Sequence, residues 1–495
     1  MYHVLRTYAA EHPYTTTGAK QWESGFADAI AAYMGELVRL AAPTKGVYVS
    51  CDGVVCAAKR KQQRLRRFKG PWTSQAEAEI RGSSPESEER WDQNALTPGT
   101  AFMDLLGTTL TTAGRHLQAK TKLRVTVSTT AEPGEGEHKL LAHMRAERPA
   151  TCTIYGLDAD LILLAMLLRT DTGADVRLMR EAQEFETGRR PTSHINTGSA
   201  SGFEKGAHGA EWRNLHVSQL MSHMMPAHGV RDFVATMSLL GNDFLPRSLT
   251  QTVRDDGIPR LIGVLKAHVW SKGLRIVGAD GTLQREALLT LMDVWAASET
   301  ADMLVAAKDA VKAANRPPPI GENDKETALM AWNALPAQWA TLTRILAPCR
   351  TRLINGWQRV YRETWHAGSA DAYLRGVAWT WDYYNGRPVD LGWAFTEHLP
   401  PLWSDVRDAL RLGDGAIQAP PVRHATPLPA WLHLLSVLPT TSATRLLKPE
   451  HQKALTAAPH YWPTTWSLFD VGRTQMWECE PVIPVIPETV LRSWA

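Results

Sequence analysis

The chain has 495 residues, 44% of them hydrophobic and 21% charged, which is the balance of a globular protein long enough for two domains. A net charge of only +3 excludes a polycation, so a nucleic-acid footprint would have to be local. Five cysteines (Cys51, Cys56, Cys152, Cys349, Cys479) lack zinc-type spacing, and their odd number argues against a disulfide framework; with no secretory pattern and no apolar run of membrane-spanning length, the expectation is an intracellular compartment, cytoplasm or nucleus, and no membrane.

In chain order, the apolar recurrence of Phe26, Ile30, Met34 and Leu37 predicts a helix over Ala19 to Leu40. Gly46 to Cys51 reads as a strand ending at Asp52-Gly53. The stretch from Ala57 to Lys69 then carries seven basic residues and no acid. On a helix, Lys59, Gln63, Arg66 and Arg67 share one face, where their donors can converge on a phosphate. A charge run is more often a solvated face, so this reading leans on the strand-terminal aspartate beside it. Residues Ser74 to Asn94 are acidic and serine-rich and are expected to loop. Thr97-Pro98-Gly99-Thr100 starts a helix through Phe102, Met103 and Leu106, and Leu123 to Ser128 is a strand.

Two acidic stretches follow. Ala131-Glu132-Pro133-Gly134-Glu135-Gly136-Glu137-His138-Lys139 precedes a helix from His138 to Ala146. Tyr155-Gly156-Leu157-Asp158-Ala159-Asp160-Leu161 joins a strand (Thr151 to Tyr155) to a helix (Leu161 to Leu168). Asp158 and Asp160 thus fall at a strand's carboxyl end, where open α/β sheets bind ligands. Acids at helix N-termini are commonly caps, and either pair alone reads equally well that way. Four carboxylates in one crevice, however, repel unless cations neutralise them, and hard divalent cations prefer such oxygen ligands. Farther on, Val176 to Arg180 is a strand, Pro191 to Ala210 a surface insertion, and Val230 to Leu240 an apolar helix that stops at Gly241-Asn242-Asp243-Phe244-Leu245-Pro246.

Taken together these stretches resemble the XRN family of 5′→3′ exoribonucleases. Cys51-Asp52-Gly53-Val54 with Ala58-Lys59 and Gln62-Gln63-Arg64-Leu65-Arg66-Arg67-Phe68 is similar to its DGVAPRAKxxQQRxRRF signature. Thr97 to Met103, Pro133 to Lys139, Gly156 to Leu161 and Gly241 to Pro246 look like further family blocks, in the family's order. The likeness continues more weakly through Tyr373 to Trp379 with Tyr383-Tyr384, His398 with Pro400 and Ser404-Asp405, and Pro427 to Pro439. It implies an α/β, PIN/flap-nuclease-like, mostly parallel sheet flanked by helices over residues 1–265, with a mainly helical C-terminal region over 266–495 that braces the nuclease.

By that resemblance Asp52, Glu135, Glu137, Asp158, Asp160 and Asp243 are metal-binding catalytic acids, and Lys59, Gln63, Arg66 and Arg67 form the pocket for a 5′-terminal phosphate. Trp379 and His3 are the candidates for stacking on a base, although core packing is the commoner fate of the 19 tryptophans. The implied activity is hydrolysis of 5′-monophosphorylated single-stranded RNA assisted by two Mg²⁺ ions, with Mn²⁺ as the substitute. The rivals are a flap-type, structure-specific DNA nuclease and a catalytically inactive RNA-binding protein.

Three departures stand out. The family opens with a strand bearing an aspartate in a DxNGxxH context, whereas this chain starts at Met1-Tyr2-His3, where that motif would be finishing. The expectation is a start codon placed too late, with Met1 to Leu5 the stub of a central strand; the alternative is the loss of one strand and one acid. Cys56 and Ala57 stand where the family has proline and arginine.

Overall fold

Helix α1 (Tyr2–Glu11) opens the computed structural model, which describes residues 1–82, 90–156, 158–181 and 212–495. Residues Tyr2 to Leu5 are therefore helical, and Met1 to Leu5 are not the stub of a strand. Val4, Leu5 and Tyr8 lie on one side of α1, and Val4 and Leu5 are buried. Tyr8 meets Trp22 edge-on at 5.2 Å and Phe26 at 5.8 Å, both on α2 (Ala19–Ala41). The Trp22 indole donates to the His12 carbonyl (2.7 Å) just past the end of α1. An amphipathic segment with that apolar side gains more from packing as a helix than a sheet edge would offer it.

The chain divides into two units. The first comprises residues 1–54, 95–234 and 384–386, and the second 55–94, 235–383 and 387–495. In the first, β1 (Gly46–Ser50) leads to an aspartate, and the long helix α3 (Ala57–Arg81) that follows belongs to the second unit. Helix α4 (Ala101–Thr121), capped by the Thr100 side chain on the Met103 amide, feeds β2 (Arg124–Ser128). β1 and β2 pair in parallel, from Gly46 opposite Arg124 to Ser50 opposite Ser128. Helix α5 (Gly136–Glu147) packs on β1, and β3 (Thr151–Tyr155), α6 (Asp160–Thr172) and β4 (Asp175–Glu181) then form a βαβ unit. β5 (Trp212–His216) pairs antiparallel with β4. The parallel pairing is thus split between two small sheets, β1-β2 and β3-β4-β5, in which β1 and β3 are edge strands among the described residues. Helices α7 (Val217–Met224) and α8 (Val230–Met237) close this stretch, and α6 forms its apolar core with Leu161, Leu164, Ala165, Met166, Leu167 and Leu168 all buried. The surface insertion expected over Pro191 to Ala210 lies outside the described residues.

The second unit is mainly helical. Residues 74–81, expected to loop, continue α3 as helix instead, because Ala78 is buried and Ala, Gln and Glu are strong helix formers. Gly82, at φ +67°, ends α3 in the left-handed conformation that glycine tolerates. After α9 (Gly257–Val264), the 30-residue α10 (Arg285–Ala314) packs along the Trp403–Leu412 helix, and α11 (Asp324–Asn333) packs on α3. No described helix is long and apolar enough to cross a membrane.

Glu299 joins α10 to the helix beside it. Its carboxylate is buried and accepts the Trp403 amide, the Ser404 amide (3.3 Å) and the Ser404 hydroxyl (2.6 Å). An acid from one helix thus caps the start of another, while burial pushes its pKa up. Glu299→Ala is expected to strand these donors and lower unfolding stability by about 1–3 kcal/mol in urea denaturation, with Glu299→Gln recovering part of the loss.

Candidate active site

The first unit gathers three of the sequence-marked acids at one helix end. The Cys51 amide donates to the Ser128 carbonyl (2.9 Å), carrying the β1-β2 ladder one step beyond the strands. Asp52 comes next, and its Oδ1 accepts the Gly136 amide of α5 at 2.7 Å. Ser50 Oγ donates to the Gly136 carbonyl (2.7 Å), and Gly53 and Gly134 complete the clasp. The Gly53 amide donates to the Gly134 carbonyl (2.8 Å), and the Gly134 amide to the Val54 carbonyl (2.8 Å). A Cβ on Gly53 would lie 1.9 Å from the Glu132 carbonyl oxygen, so only glycine lets these loops close. Glu135 is the N-cap residue of α5 and is buried, and Glu137 lies in its first turn. The amino end of a helix favours carboxylates through its dipole, and it favours phosphate oxygens for the same reason.

Lys139 reaches back from α5 to the Thr129 (2.9 Å) and Glu132 (3.1 Å) carbonyls, holding the opposite side of the acidic loop. Partial burial lowers its pKa, against the pull of Glu132, Cys51 and Asp52. The Cys51 thiol is pushed up to about 11, chiefly by burial, so the sulfur is protonated at neutral pH.

Asp158 and Asp160 follow β3 as the sequence implied. Asp158 is exposed, and its backbone carbonyl accepts from Arg180 Nη2 (2.6 Å). Asp160 is the first residue of α6, and its Oδ2 accepts the Tyr384 hydroxyl at 2.9 Å. His3 sits on α1 with its ring 5.9 Å from Tyr33, whose hydroxyl is 3.2 Å from that of Tyr155, the last residue of β3.

The other marked residues belong to the second unit. Asp243 stands in a turn built by Asn242, whose Oδ1 accepts the Phe244 (2.9 Å) and Leu245 (2.8 Å) amides. Two α3 side chains engage its carboxylate, Lys59 Nζ on Oδ2 at 2.6 Å and Gln62 Nε2 on Oδ1 at 2.9 Å. Lys59 is thus held by an acid, and its ammonium provides a cation at Asp243. Gln63 Oε1 accepts from Arg67 Nη1 (3.2 Å), which fixes that guanidinium, while Arg66 is exposed. Trp379 is 0% exposed. Its indole donates to the Asp390 carbonyl (3.0 Å), and its ring packs on Tyr383 (4.9 Å, stacked), Trp393 (5.1 Å) and Phe244 (5.3 Å). In this structure it supports the Asp243 turn from below and presents no open face for a base to stack on.

Charge counting along α3 missed the division of labour among its cations. Arg60, Arg64 and Phe68 recur at i, i+4 and i+8 and are all buried. Arg60 pairs with Glu488 and donates to the Val55 carbonyl (3.2 Å). Arg64 donates to the Ser436 carbonyl (2.8 Å) and to that of Tyr461, with its guanidinium 4.4 Å from the Phe68 ring centroid. Burial pulls its pKa down to about 9. Lys61 donates to the Phe395 (2.8 Å) and Glu397 (3.3 Å) carbonyls, and Lys69 to the Met476 (2.7 Å) and Cys479 (2.5 Å) carbonyls. The signal was present in the sequence: the shared spacing with Phe68 marks the inward face.

A divalent cation needs oxygen donors, and these acids supply them. Beside Asp243, Gln62 Oε1 is a further buried oxygen with no hydrogen-bond partner. The donor chemistry fits a hard cation, although no three His, Cys, Asp or Glu side chains among the described residues stand close enough to hold one as they are.

Residues 2–182 match the family model described as XRN 5'-3' exonuclease N-terminus. The matched segment thus resembles the N-terminal region of the XRN family. It resembles 5'-3' exoribonuclease 2 of Kluyveromyces lactis, at 29% identity over 322 residues covering 55% of this chain and 31% of that protein. The Candida albicans and Debaryomyces hansenii proteins of the same name are 30% and 31% identical over 319 and 308 residues, covering 55% and 52% of this chain and 32% and 30% of theirs. The chain spans about a third of the length of the curated relatives it matches.

The two faces of α3 are separable by mutation. Arg64→Ala is expected to cost about 1–3 kcal/mol for each carbonyl it strands, read as an earlier urea midpoint. Arg66→Ala is expected to leave that midpoint unchanged, since its side chain is in water.

Proposed function

We propose that this chain is a 5′→3′ exoribonuclease acting on single-stranded RNA with a 5′-monophosphate. The observation that carries this reading is the family match over residues 2–182, a span that contains Asp52, Glu135, Glu137, Asp158, Asp160 and the whole basic run of α3. The proposed nuclease domain is residues 1–265, with 266–495 bracing it.

In this reading Asp52, Glu135, Glu137, Asp158, Asp160 and Asp243 hold divalent cations, two Mg²⁺ by preference with Mn²⁺ as substitute. Such ions, when bound, supply an activated water and neutralise the charge on the leaving oxygen of an in-line displacement. The protein's own side chains do the rest. Tyr384 holds one Asp160 oxygen, which orients the carboxylate. Gln63 holds Arg67 in place, and Arg67 together with the exposed Arg66 would meet a terminal phosphate. That contact sets which phosphodiester is cut. His3, tied through Tyr33 toward the end of β3, is the better-placed of the two stacking candidates. Trp379 reaches a base only if Tyr383 or Trp393 gives way.

One observation favours the inactive, RNA-binding alternative. Lys59 and Gln62 already engage both oxygens of Asp243, so a cation must compete with an ammonium there. Matched 5′-monophosphate RNA and DNA substrates with Mg²⁺ distinguish the readings: RNA cleavage supports the exoribonuclease, DNA-selective cleavage the flap-type nuclease, and RNA binding without cleavage the silent protein.

Asp158→Asn and Asp160→Asn are each expected to abolish RNA cleavage while thermal melting and RNA binding stay near wild type; an unfolded or fully active variant would remove these residues from the catalytic set. Arg66→Ala and Arg67→Ala are expected to penalise 5′-monophosphate ends over 5′-hydroxyl ends by about 1.5–3 kcal/mol in relative kcat/KM. Equal losses on both ends would make these arginines general backbone contacts.

A further inference from the structure

The second unit contains an aromatic groove unrelated to the acids. Trp72 of α3, Trp339, Trp466 and Leu468 line an open hollow of about 550 Å³ with Thr341, Arg344 and Asp470. Trp332, at the end of α11, lies 5.8 Å from Trp72, so one end of α11 borders the groove. At the other end, directly before α11, runs Asn315-Arg316-Pro317-Pro318-Pro319-Ile320, every residue of it exposed. Ile320 is 88% exposed, and α11 between groove and segment buries none of its side chains.

We propose that this groove takes the Arg316–Ile320 segment of a second copy of the chain, forming a reciprocal two-fold dimer across α11. Three consecutive prolines hold an extended polyproline II conformation in advance, and aromatic grooves recognise such segments at little entropic cost. Indole N–H groups donate to peptide carbonyls while the rings pack on the prolines. The charges complement one another, with Arg344 and Asp470 in the groove and Glu322 and Arg316 flanking the prolines. RNA suits the groove poorly, because its single lining arginine is offset by Asp470.

Symmetry supplies the geometry. α11 has ten residues, or about 15 Å. Two copies packed with α11 antiparallel bring each proline segment alongside the other's groove, and the half-exposed Leu329 and Met330 of the two helices are covered in the same contact. Such an interface is isologous and closes at two subunits.

Sedimentation velocity on the full chain tests this, with Ile320→Asp and Trp339→Ala as variants. Both side chains are substantially exposed, Trp339 at 45%, so neither change removes a core contact. The wild type is expected to dimerise, and each variant to weaken the dimer by about tenfold or more. Mixing the two variants should restore part of the association, since one intact segment meets one intact groove. A wild type that stays monomeric overturns the proposal, as does a dimer that neither variant weakens. A monomer that binds a free Ala314–Asp324 peptide also overturns it, and points to a proline-rich segment of another protein as occupant.

Discussion

The hydrogen bond from the Gly136 amide to Asp52 is the contact on which the acid site of the first unit depends. It fastens the end of a strand to the start of a helix 84 residues later, and it does so with a carboxylate at the positive end of a helix dipole. The reciprocal bonds between Gly53, Gly134 and Val54 allow no Cβ at Gly53, so the two loops close as one unit. Glu135 and Glu137 take their positions from that closure, one at the N-cap position of α5 and the other in its first turn. Negative charge is thereby concentrated where backbone amides partly compensate it. That is the electrostatic condition for holding both a cation and a phosphate.

Helix α3 solves a different problem with the same chemistry. Its inward cations, Arg60, Arg64, Lys61 and Lys69, meet mainly backbone carbonyls, with the Glu488 carboxylate also on Arg60, so their charge is compensated by dipoles and one acid rather than by bulk water. Arg64 answers carbonyls near the ends of two helical segments, which have no partners within those helices. The inward face is therefore a framework, while Arg66 on the outward face is exposed to solvent. A protein with a net charge of +3 can present a sharply local basic feature because so many of its cations are occupied inside.

Much was readable before any coordinates. The strand before Asp52, the helix after Glu137, the strand before Asp158 and the apolar helix ending at Gly241 all occur where periodicity and turn residues put them, because each is a local matter of side-chain spacing. Two local readings failed for tertiary reasons. Residues 2–5 are helical because Val4, Leu5 and Tyr8 find an apolar partner in α2, and residues 74–81 are helical because Ala78 finds a buried place.

The sequence by itself determined which residue types are on offer: oxygen acids beside glycines, a basic helix, and thiols in no metal-binding pattern. It also carried the family resemblance, because long motif blocks in a set order survive without reference to contacts. Only the tertiary structure decided what each side chain is free to do. It committed Lys59 and Gln62 to Asp243, packed both faces of Trp379, and sorted the cations of α3 into inward and outward sets. The physical reason is the same in every case. A charge or an aromatic ring is available to a ligand only when no nearer partner satisfies it, and partners from 181 or 184 residues away cannot be read from spacing.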